Sequence, residues 1–354
     1  MNRRTVTFII PSYSSHPIGG VKVVYEYAER LVEWGFDVTI CNLCDSSLER
    51  FGFPEPIRRA LCRLATLYFP RWFRLNPKIK KKCIFEISDR TIPDGTDVVA
   101  TAVETAKPVA LLSPESGRKH YLIQDFELWA MPEFEVRATY RLGMSNIVVS
   151  DWLKKLVWKE SGVEPTLVKN AIDGNVFYPD RNIKRRPHEV ACLYHEGKHK
   201  GFQELWEALQ IVKQSVPDLT VRAFGGPARP DWFPDWVDYT CGANPDQLRR
   251  IYSQSAVFAC ATINEGFGLT LPESMFCGCA LVSTRFQGVW EYANEDCARL
   301  SDVHDVKALS KNIVDLLNNP YETEKLALKG RGYAMRECSI NIALEALRRE
   351  FRID

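Results

Sequence analysis

Short apolar segments alternate with amphipathic helical segments along the chain, and this alternation restricts the possible folds more than any other feature. In the first half, Thr5–Ile10 has the composition of a strand, and Val21–Trp34 places its apolar residues at helical spacing. Gly35 then predicts a left-handed helix end, and Asp37–Cys41 is the next expected strand. Strands separated by helices in this way form parallel sheets that are covered by helices on both faces.

The second half of the chain repeats this plan. Val190–Tyr194, Thr220–Phe224 and Val257–Ala261 are expected strands, and Gly201–Val216 is an expected helix. Since 354 residues exceed one ordinary core, we predict an α/β fold with two doubly wound, Rossmann-like domains facing a central cleft. The expected domains are residues 1–165 and 166–335, and a C-terminal helix within 336–354 is expected to pack back towards the first domain.

Composition and charge exclude several classes of protein. The formal net charge of +1 argues against a general nucleic-acid binder, and no apolar run reaches the length of about 18 residues that spans a bilayer. The N-terminal apolar segment is too short for a signal peptide, so we expect a cytoplasmic protein. The 11 cysteines are scattered, and Cys41 with Cys44 lacks the second ligand pair that a zinc site needs.

The stretch NEGFGLTLPESMFCGCALVST, residues 264–284, has the features of a ligand site. It follows an expected buried strand and leads into a short helix, whose first amide groups can bind phosphate. Gly266 and Gly268 lack side chains that would keep a ligand away from those amides. Glu265 and Glu273 are suited to accept hydrogen bonds from sugar hydroxyls. The pattern therefore indicates a nucleoside-diphosphate sugar.

This stretch resembles the signature of the retaining family-4 glycosyltransferases, in which two glutamates are separated by seven residues. Members of that family have the GT-B fold. PIGGVKVVYEYAERLVEWGFDVTI (17–40) is similar to the glycine-rich first loop and helix of the family, and KGFQELWEAL (200–209) to a lysine-glycine helix start. EPTLVKNAID (164–173) resembles its interdomain turn. YLIQDFELW (121–129) is similar to a segment of members that build rhamnose-rich and other bacterial surface polysaccharides.

The resemblance implies roles for individual residues. Glu273 would hold the ribose hydroxyls, Glu265 would contact the donor sugar, and Lys200 would neutralise the departing diphosphate. Asp125 would lie near the reacting carbon. The expected donor-binding residues further include Gly266, Phe267, Gly268, Leu269, Thr270, His195 and Gly225. The loop expected to approach the acceptor or the phosphates contains Gly19 and Gly20, with Gln124 nearby.

The sequence also departs from the family pattern. Tyr194-His195 stands where many members have glycine-arginine, so phosphate neutralisation would rest on Lys200 with help from His195 or Lys198. No Asp-x-Asp motif is present, and the resemblance implies a metal-independent enzyme without a cofactor.

The expected activity is retaining transfer of a hexose or deoxyhexose from a nucleoside-diphosphate sugar to a saccharide. The acceptor is expected to be a lipid-linked glycan in bacterial cell-surface polysaccharide synthesis. A GT-B-fold nucleotide-sugar epimerase and a non-catalytic sugar-nucleotide-binding subunit of an assembly complex remain as alternatives.

The segment from Ile57 to Cys83 is strongly basic and contains no acid. Leu61, Leu64 and Tyr68 would share one helix face, with Trp72 and Phe73 just beyond a break at Pro70. A basic, aromatic, amphipathic element suggests peripheral docking on an anionic membrane, whereas a solvated basic helix or a site for an anionic partner is the alternative. The residues expected to dock are Arg58, Arg59, Arg63, Arg71, Trp72 and Arg74.

Overall fold

A computed structural model describes residues 4–44 and 52–353 and divides the chain into two compact units. The first unit is Met1–Val168 and the second is Lys169–Asp354. Each unit has one parallel sheet with helices, which confirms the predicted α/β class with two doubly wound domains. Buried, nearly continuous apolar strands such as Thr5–Ile10 explain the parallel sheets, because a strand covered on both faces needs apolar residues on both.

The first unit contains a seven-stranded sheet. Its order is β3-β2-β1-β4-β5-β6-β7, so β1 lies between β2 and β4, and the direction of winding reverses beside β1. The strands are β1 Thr5–Ile10, β2 Asp37–Leu43, β3 Lys80–Ile84, β4 Asp97–Ala100, β5 Arg118–Ile123, β6 Ser145–Val148 and β7 Thr166–Leu167. The helices are α1 Gly19–Glu33, α2 Glu55–Tyr68, α3 Val103–Ala110, α4 Glu133–Thr139 and α5 Asp151–Ser161.

The second unit contains a six-stranded sheet in the order β10-β9-β8-β11-β12-β13. The strands are β8 Arg186–Leu193, β9 Thr220–Gly225, β10 Val237–Cys241, β11 Ser255–Ala259, β12 Ala280–Thr284 and β13 Arg299–Ser301. The helices are α6 Phe202–Ser215, α7 Pro245–Gln254, α8 Thr270–Phe276, α9 Val306–Leu317, α10 Pro320–Glu337 and α11 Ile340–Glu350. Because β8 pairs with both β9 and β11, the loops that follow β8 and β11 leave the sheet side by side.

The basic segment differs in part from its sequence-based description. Helix α2 ends at Tyr68, and residues 80–84 form the edge strand β3, although three lysines in succession did not indicate a strand. Trp72 and Phe73 turn towards the fold, where both rings pack on Tyr25 of α1. Trp72 also donates from Nε1 to the carbonyl of Ser14, at 3.2 Å. None of the described helices combines the length and the apolar character needed to cross a bilayer.

Gly201 fixes the start of α6 against the end of β11. Its φ of +62° lies in the left-handed region, and an added Cβ would lie 1.9 Å from the carbonyl oxygen of Ala261. Gly242 provides a matched comparison, because its φ is +61° but no atom lies within 4 Å of the corresponding position. The glycine at 201 is therefore required by close backbone contact as well as by its dihedral angle.

We predict that Gly201→Ala destabilises the protein far more than Gly242→Ala. Gly242→Ala adds only the cost of a left-handed alanine, about 1 kcal/mol. Gly201→Ala must also displace the backbone at Ala261, which raises the expected loss to about 3 kcal/mol or more. Urea unfolding of the two variants measures the difference. Equal losses would show that the α6–β11 contact is not tight.

Candidate functional site

The loop between β11 and α8 has a shape that requires glycine at position 268. Gly268 has a φ of +87°, and an added Cβ would lie 2.9 Å from the hydroxyl of Tyr292 and 3.3 Å from Oε2 of Glu265. The Tyr292 hydroxyl donates to the carbonyl of Phe267 at 2.9 Å and thereby fixes the peptide before Gly268. Side-chain packing thus holds this turn in one conformation, with its backbone close to Glu265.

The turn presents backbone donors that the fold itself does not use. Among the described residues, none accepts a hydrogen bond from the amides of Phe267, Gly268 or Leu269. Leu269 and Thr270 are half-buried, so this part of the turn reaches the surface. Consecutive amide donors in a turn form a concave site suited to anions.

Lys200 and Glu265 form an ion pair between Nζ and Oε1, beside these amides. Their side chains are 15% and 19% exposed, so the pair is shielded from bulk water but accessible to a ligand. The carbonyl of His199 accepts from the amides of Ile263, at 2.9 Å, and Asn264, at 3.2 Å. These backbone bonds tie the lysine segment after β8 to the glutamate loop after β11.

Glu273 lies in α8, with only 3% of its surface exposed. The hydroxyl of Tyr252 donates to Oε2 of Glu273 at 3.4 Å. The pKa of Tyr252 is raised well above its usual range, by burial first and by the charge of Glu273 second. The Tyr252 hydroxyl therefore stays protonated and orients the buried carboxylate.

His195 is a neutral residue in this site at pH 7. Its Nδ1 accepts a hydrogen bond from the amide of Gly197, at 2.9 Å, which leaves the ring proton on Nε2. Burial lowers the pKa of His195, and the positive charge of Lys200 lowers it further. His195 can therefore donate a hydrogen bond to a phosphate, but at pH 7 it does not supply the charge that an arginine would.

Gly225, a predicted donor-site residue, and the tryptophans near it contribute to packing in the structure. An added Cβ at Gly225 would lie 2.4 Å from the carbonyl oxygen of Tyr194 and 2.9 Å from the hydroxyl of Tyr239. The tryptophans of residues 230–239 pack mainly on their own unit, and the Trp236 ring stacks on Trp206 of α6 at 5.2 Å. Trp232 remains 53% exposed.

The first unit brings the predicted acceptor-side residues together. Helix α1 begins at Gly19, and an added Cβ at Gly20 would lie 3.2 Å from Nε2 of Gln124, which follows β5. Oε1 of Gln124 is buried and finds no hydrogen-bond partner within the part of the chain that the structure describes. Oδ1 of Asp125 accepts from the amide of Phe126 at 2.7 Å. Glycine at position 20 thus leaves room for the Gln124 amide beside the start of α1.

Sequence reasoning missed Glu127, two residues after Asp125. Its Oε2 accepts from the amide of Val103 at the start of α3, at 2.5 Å. Burial raises the pKa of Glu127 to about 7, and the charges of Asp125 and Glu104 oppose its ionisation further. A carboxyl group that titrates near neutrality is suited to proton transfer. No sequence signal distinguished it, because its burial depends on how the loop after β5 folds.

No group of three or more histidine, cysteine, aspartate or glutamate residues in ranges 4–44 and 52–353 is arranged to hold a metal ion.

Comparison with known proteins finds a family match within the second unit. Residues 190–319 match the family described as Glycosyl transferases group 1. The chain is 25% identical over 276 residues to a GDP-mannose-dependent α-(1-6)-phosphatidylinositol monomannoside mannosyltransferase of Mycolicibacterium smegmatis, covering 68% of this chain and 72% of that protein. Two further bacterial transferases, at 24% and 28% identity, are matched over 44% and 40% of their own length.

Solved structures share the fold over nearly the whole chain. A sucrose-phosphate synthase from Thermosynechococcus elongatus superimposes with a TM-score of 0.76 at 16% identity, over 99% of this chain and 100% of that one. HepE from Anabaena, in complex with UDP-glucose, superimposes with a TM-score of 0.74 at 13% identity, over 98% and 99%. Residues 190–319 are thus similar to a glycosyltransferase family, and the whole chain shares the fold of these solved structures.

We predict that the binding of a nucleoside diphosphate takes up a proton at His195 in mildly acidic solution. The anion raises the lowered pKa of His195, so protonation and binding favour each other below about pH 6.5, the usual histidine value. Proton uptake is measured by calorimetry of UDP and GDP in two buffers of different ionisation enthalpy. His195→Gln should reduce the uptake, whereas His188→Gln, a histidine paired with Asp218, should not. Equal uptake by wild type and His195→Gln would show that His195 is not protonated when the diphosphate binds.

A second prediction concerns Glu127 and stability. Because its pKa is raised from the ordinary value near 4.3 to about 7, its stabilising contribution is present below pH 4 and is lost as the pH rises through 7. Glu127→Gln keeps the acceptor for Val103 but cannot ionise. The variant should therefore be more stable than wild type at pH 8, by about 3 kcal/mol, and should lose this advantage below about pH 4. The exposed Glu135→Gln serves as control, and a pH-independent difference for Glu127→Gln would contradict the assignment.

Proposed function

We propose that this GT-B-type glycosyltransferase transfers a hexose or deoxyhexose from a nucleoside-diphosphate sugar to a saccharide, with retention of configuration. The observation that carries the proposal is the Lys200–Glu265 ion pair beside the amides of Phe267, Gly268 and Leu269. A cation and successive amide donors match a diphosphate, and a carboxylate beside them matches a sugar hydroxyl or a developing positive charge.

Each group has a role in the proposed reaction. The turn amides and Lys200 bind the diphosphate and stabilise the negative charge that grows as the sugar–oxygen bond breaks. Donors placed in advance in this way contribute on the order of several kcal/mol to catalysis. Glu265 faces the donor sugar and stabilises its oxocarbenium character. Glu273, oriented by Tyr252, is assigned to the ribose hydroxyls, and His195 adds a neutral hydrogen bond to the phosphates.

Retention is proposed to occur by front-side attack. Glu265 is assigned to stabilising the positive charge of the sugar, and no side chain is assigned as the nucleophile of a covalent sugar intermediate. The acceptor hydroxyl attacks the anomeric carbon on the face that the leaving diphosphate vacates, and a phosphate oxygen takes its proton. We propose that the reaction uses no metal ion, with Lys200 and the turn amides supplying the electrophilic assistance.

The acceptor is proposed to be a lipid-linked glycan of a bacterial cell-surface polysaccharide, held by the first unit. Gly19, Gly20, Gln124 and Asp125 supply an open approach and polar groups for it, and Glu127 adds a group that can move a proton near neutral pH. The Mycolicibacterium smegmatis relative, named for a phosphatidylinositol monomannoside, supports a lipid acceptor. The enzyme is accordingly proposed to act in the cytoplasm, peripherally at the inner face of the membrane.

The alternative is that this protein binds a sugar nucleotide but catalyses no reaction, as a subunit of an assembly complex. The neutral state of His195 favours this alternative. His195, neutral at pH 7, stands where the resembling family often has arginine, so the charge opposite the diphosphate is smaller. Such a subunit would bind the sugar nucleotide as an enzyme does but would not release nucleoside diphosphate when an acceptor is added.

We predict that Glu265→Gln lowers kcat about 100- to 1,000-fold, because it removes a charge that acts mainly on the transition state. Glu273→Gln should chiefly raise the KM for the donor. Release of UDP or GDP is measured for a panel of sugar nucleotides, with and without saccharide acceptors, and the anomeric configuration of the product is read by NMR. Glu295→Gln, an exposed glutamate paired with Arg285, should retain full activity.

The outcomes separate the candidate functions. Acceptor-dependent release with retained configuration supports the proposal, whereas inverted product contradicts the front-side mechanism. Tight donor binding without release under any acceptor supports the binding subunit. Full turnover by the double variant Glu265→Gln with Lys200→Met would remove the site from the mechanism.

A further inference from the structure

Helix α2 turns its apolar side away from the protein. Cys62 and Thr66 are its buried residues, whereas a surface helix of a folded protein ordinarily buries its large apolar side chains. The outward apolar face of α2, as we call it below, is formed by large side chains with exposed fractions of 37% to 68%. Its members are Ile57, Leu61, Leu64, Leu67 and Tyr68.

Helical geometry shows that this face is continuous. At 3.6 residues per turn, Leu64 lies opposite the buried side, with Leu61 and Tyr68 on one side of it and Leu67 on the other. The exposed surface therefore forms one strip along the helix. Contiguous exposed apolar surface of this kind marks an interaction site.

Arginines border the strip. The guanidinium groups of Arg59 and Arg63 lie over the ring of Phe85 at 4.9 and 5.7 Å, on one flank of the helix, and Arg58 lies on the other flank. Arg71 lies over the Tyr68 ring at 5.0 Å, at the C-terminal end of the strip. Within α2, whose residues are all described, the acid is Glu55, which pairs with Arg59.

Side-chain hydrogen bonds hold helix α2 on the first unit with its outward apolar face exposed. Nζ of Lys81 donates to the carbonyls of Leu67, at 2.7 Å, and Phe69, at 2.6 Å, and so holds the end of α2 on strand β3. Trp72 packs on Tyr25 and bonds to Ser14, so it belongs to the fold. The docking surface therefore leaves out Trp72, which the sequence had suggested as part of it.

We propose that the outward apolar face of α2 docks this protein on an anionic lipid membrane. The leucines enter the region between headgroups and acyl chains, while Arg58, Arg59 and Arg63 meet lipid phosphates. A second copy fits less well, because a two-fold contact through this face would bring two sets of arginines together. Docking would bring the enzyme to the lipid-linked acceptor of the proposed function. The evidence for the docking surface comes from α2 and does not depend on that acceptor.

The purified full chain is tested by sedimentation with phosphatidylcholine vesicles, with and without phosphatidylglycerol, and without any saccharide acceptor. We expect binding that requires the anionic lipid. Leu64→Gln with Leu67→Gln should lower the partition coefficient about 100-fold, since each leucine contributes about tenfold. Arg58→Gln, Arg59→Gln and Arg63→Gln together should lower it by a similar factor.

Matched controls test whether the effect belongs to this face. Leu328→Gln, at an equally exposed leucine of α10, should change binding less than about twofold. Circular dichroism and thermal unfolding check that each variant is folded. Thermal stabilisation by UDP or GDP should be unchanged in Leu64→Gln with Leu67→Gln, which separates a failure of docking from a failure of the proposed donor site.

Three results would overturn the proposal. They are no sedimentation with anionic vesicles, equal binding to neutral vesicles, and a wild-type dimer that becomes monomeric in the double leucine variant. The last result would assign the face to a second copy of the chain.

Discussion

The candidate site depends on one constraint, the pairing of β8 with β11 in the second sheet. These strands are far apart in sequence, yet their loops leave the same edge of the sheet side by side. Lys200 and Glu265 meet for that reason, and the His199 carbonyl fixes their spacing through two amides of the glutamate loop. Gly201 permits this approach, because any side chain there would overlap the backbone at Ala261.

Much of the fold could be read from the sequence, because buried parallel strands and amphipathic helices leave strong local patterns. Strand β1 was expected at Thr5–Ile10, where the structure has it, and β9 ends one residue later than expected. Strand β3 was missed, since an edge strand rich in lysine carries no apolar pattern. The order of the strands within each sheet could not be predicted from the sequence either, because it depends on pairing between distant segments.

The sequence alone predicts which residues form the candidate site, but it does not predict the electrostatics of the site. The spacing of the two glutamates and the glycines indicated a ligand site, whereas the orientation of Glu273 by Tyr252 depends on tertiary packing. His195 is an instructive case. Its position suggested a phosphate partner, but its protonation is set by burial and by Lys200, which sequence spacing does not report.

Under the proposed function, one lysine would serve both binding and catalysis, and the Lys200–Glu265 pair gives a physical basis for this. Without ligand, the Lys200 charge is balanced by a carboxylate in a mostly shielded setting, so neither group is left as an isolated buried charge. A diphosphate offers Lys200 more negative charge than Glu265 does, and a lysine drawn towards it neutralises Glu265 less. The carboxylate then regains negative charge where the sugar develops positive charge. In the proposed reaction, donor binding and transition-state stabilisation would thus be coupled through a single ammonium group, and this coupling would require both side chains to remain partly accessible.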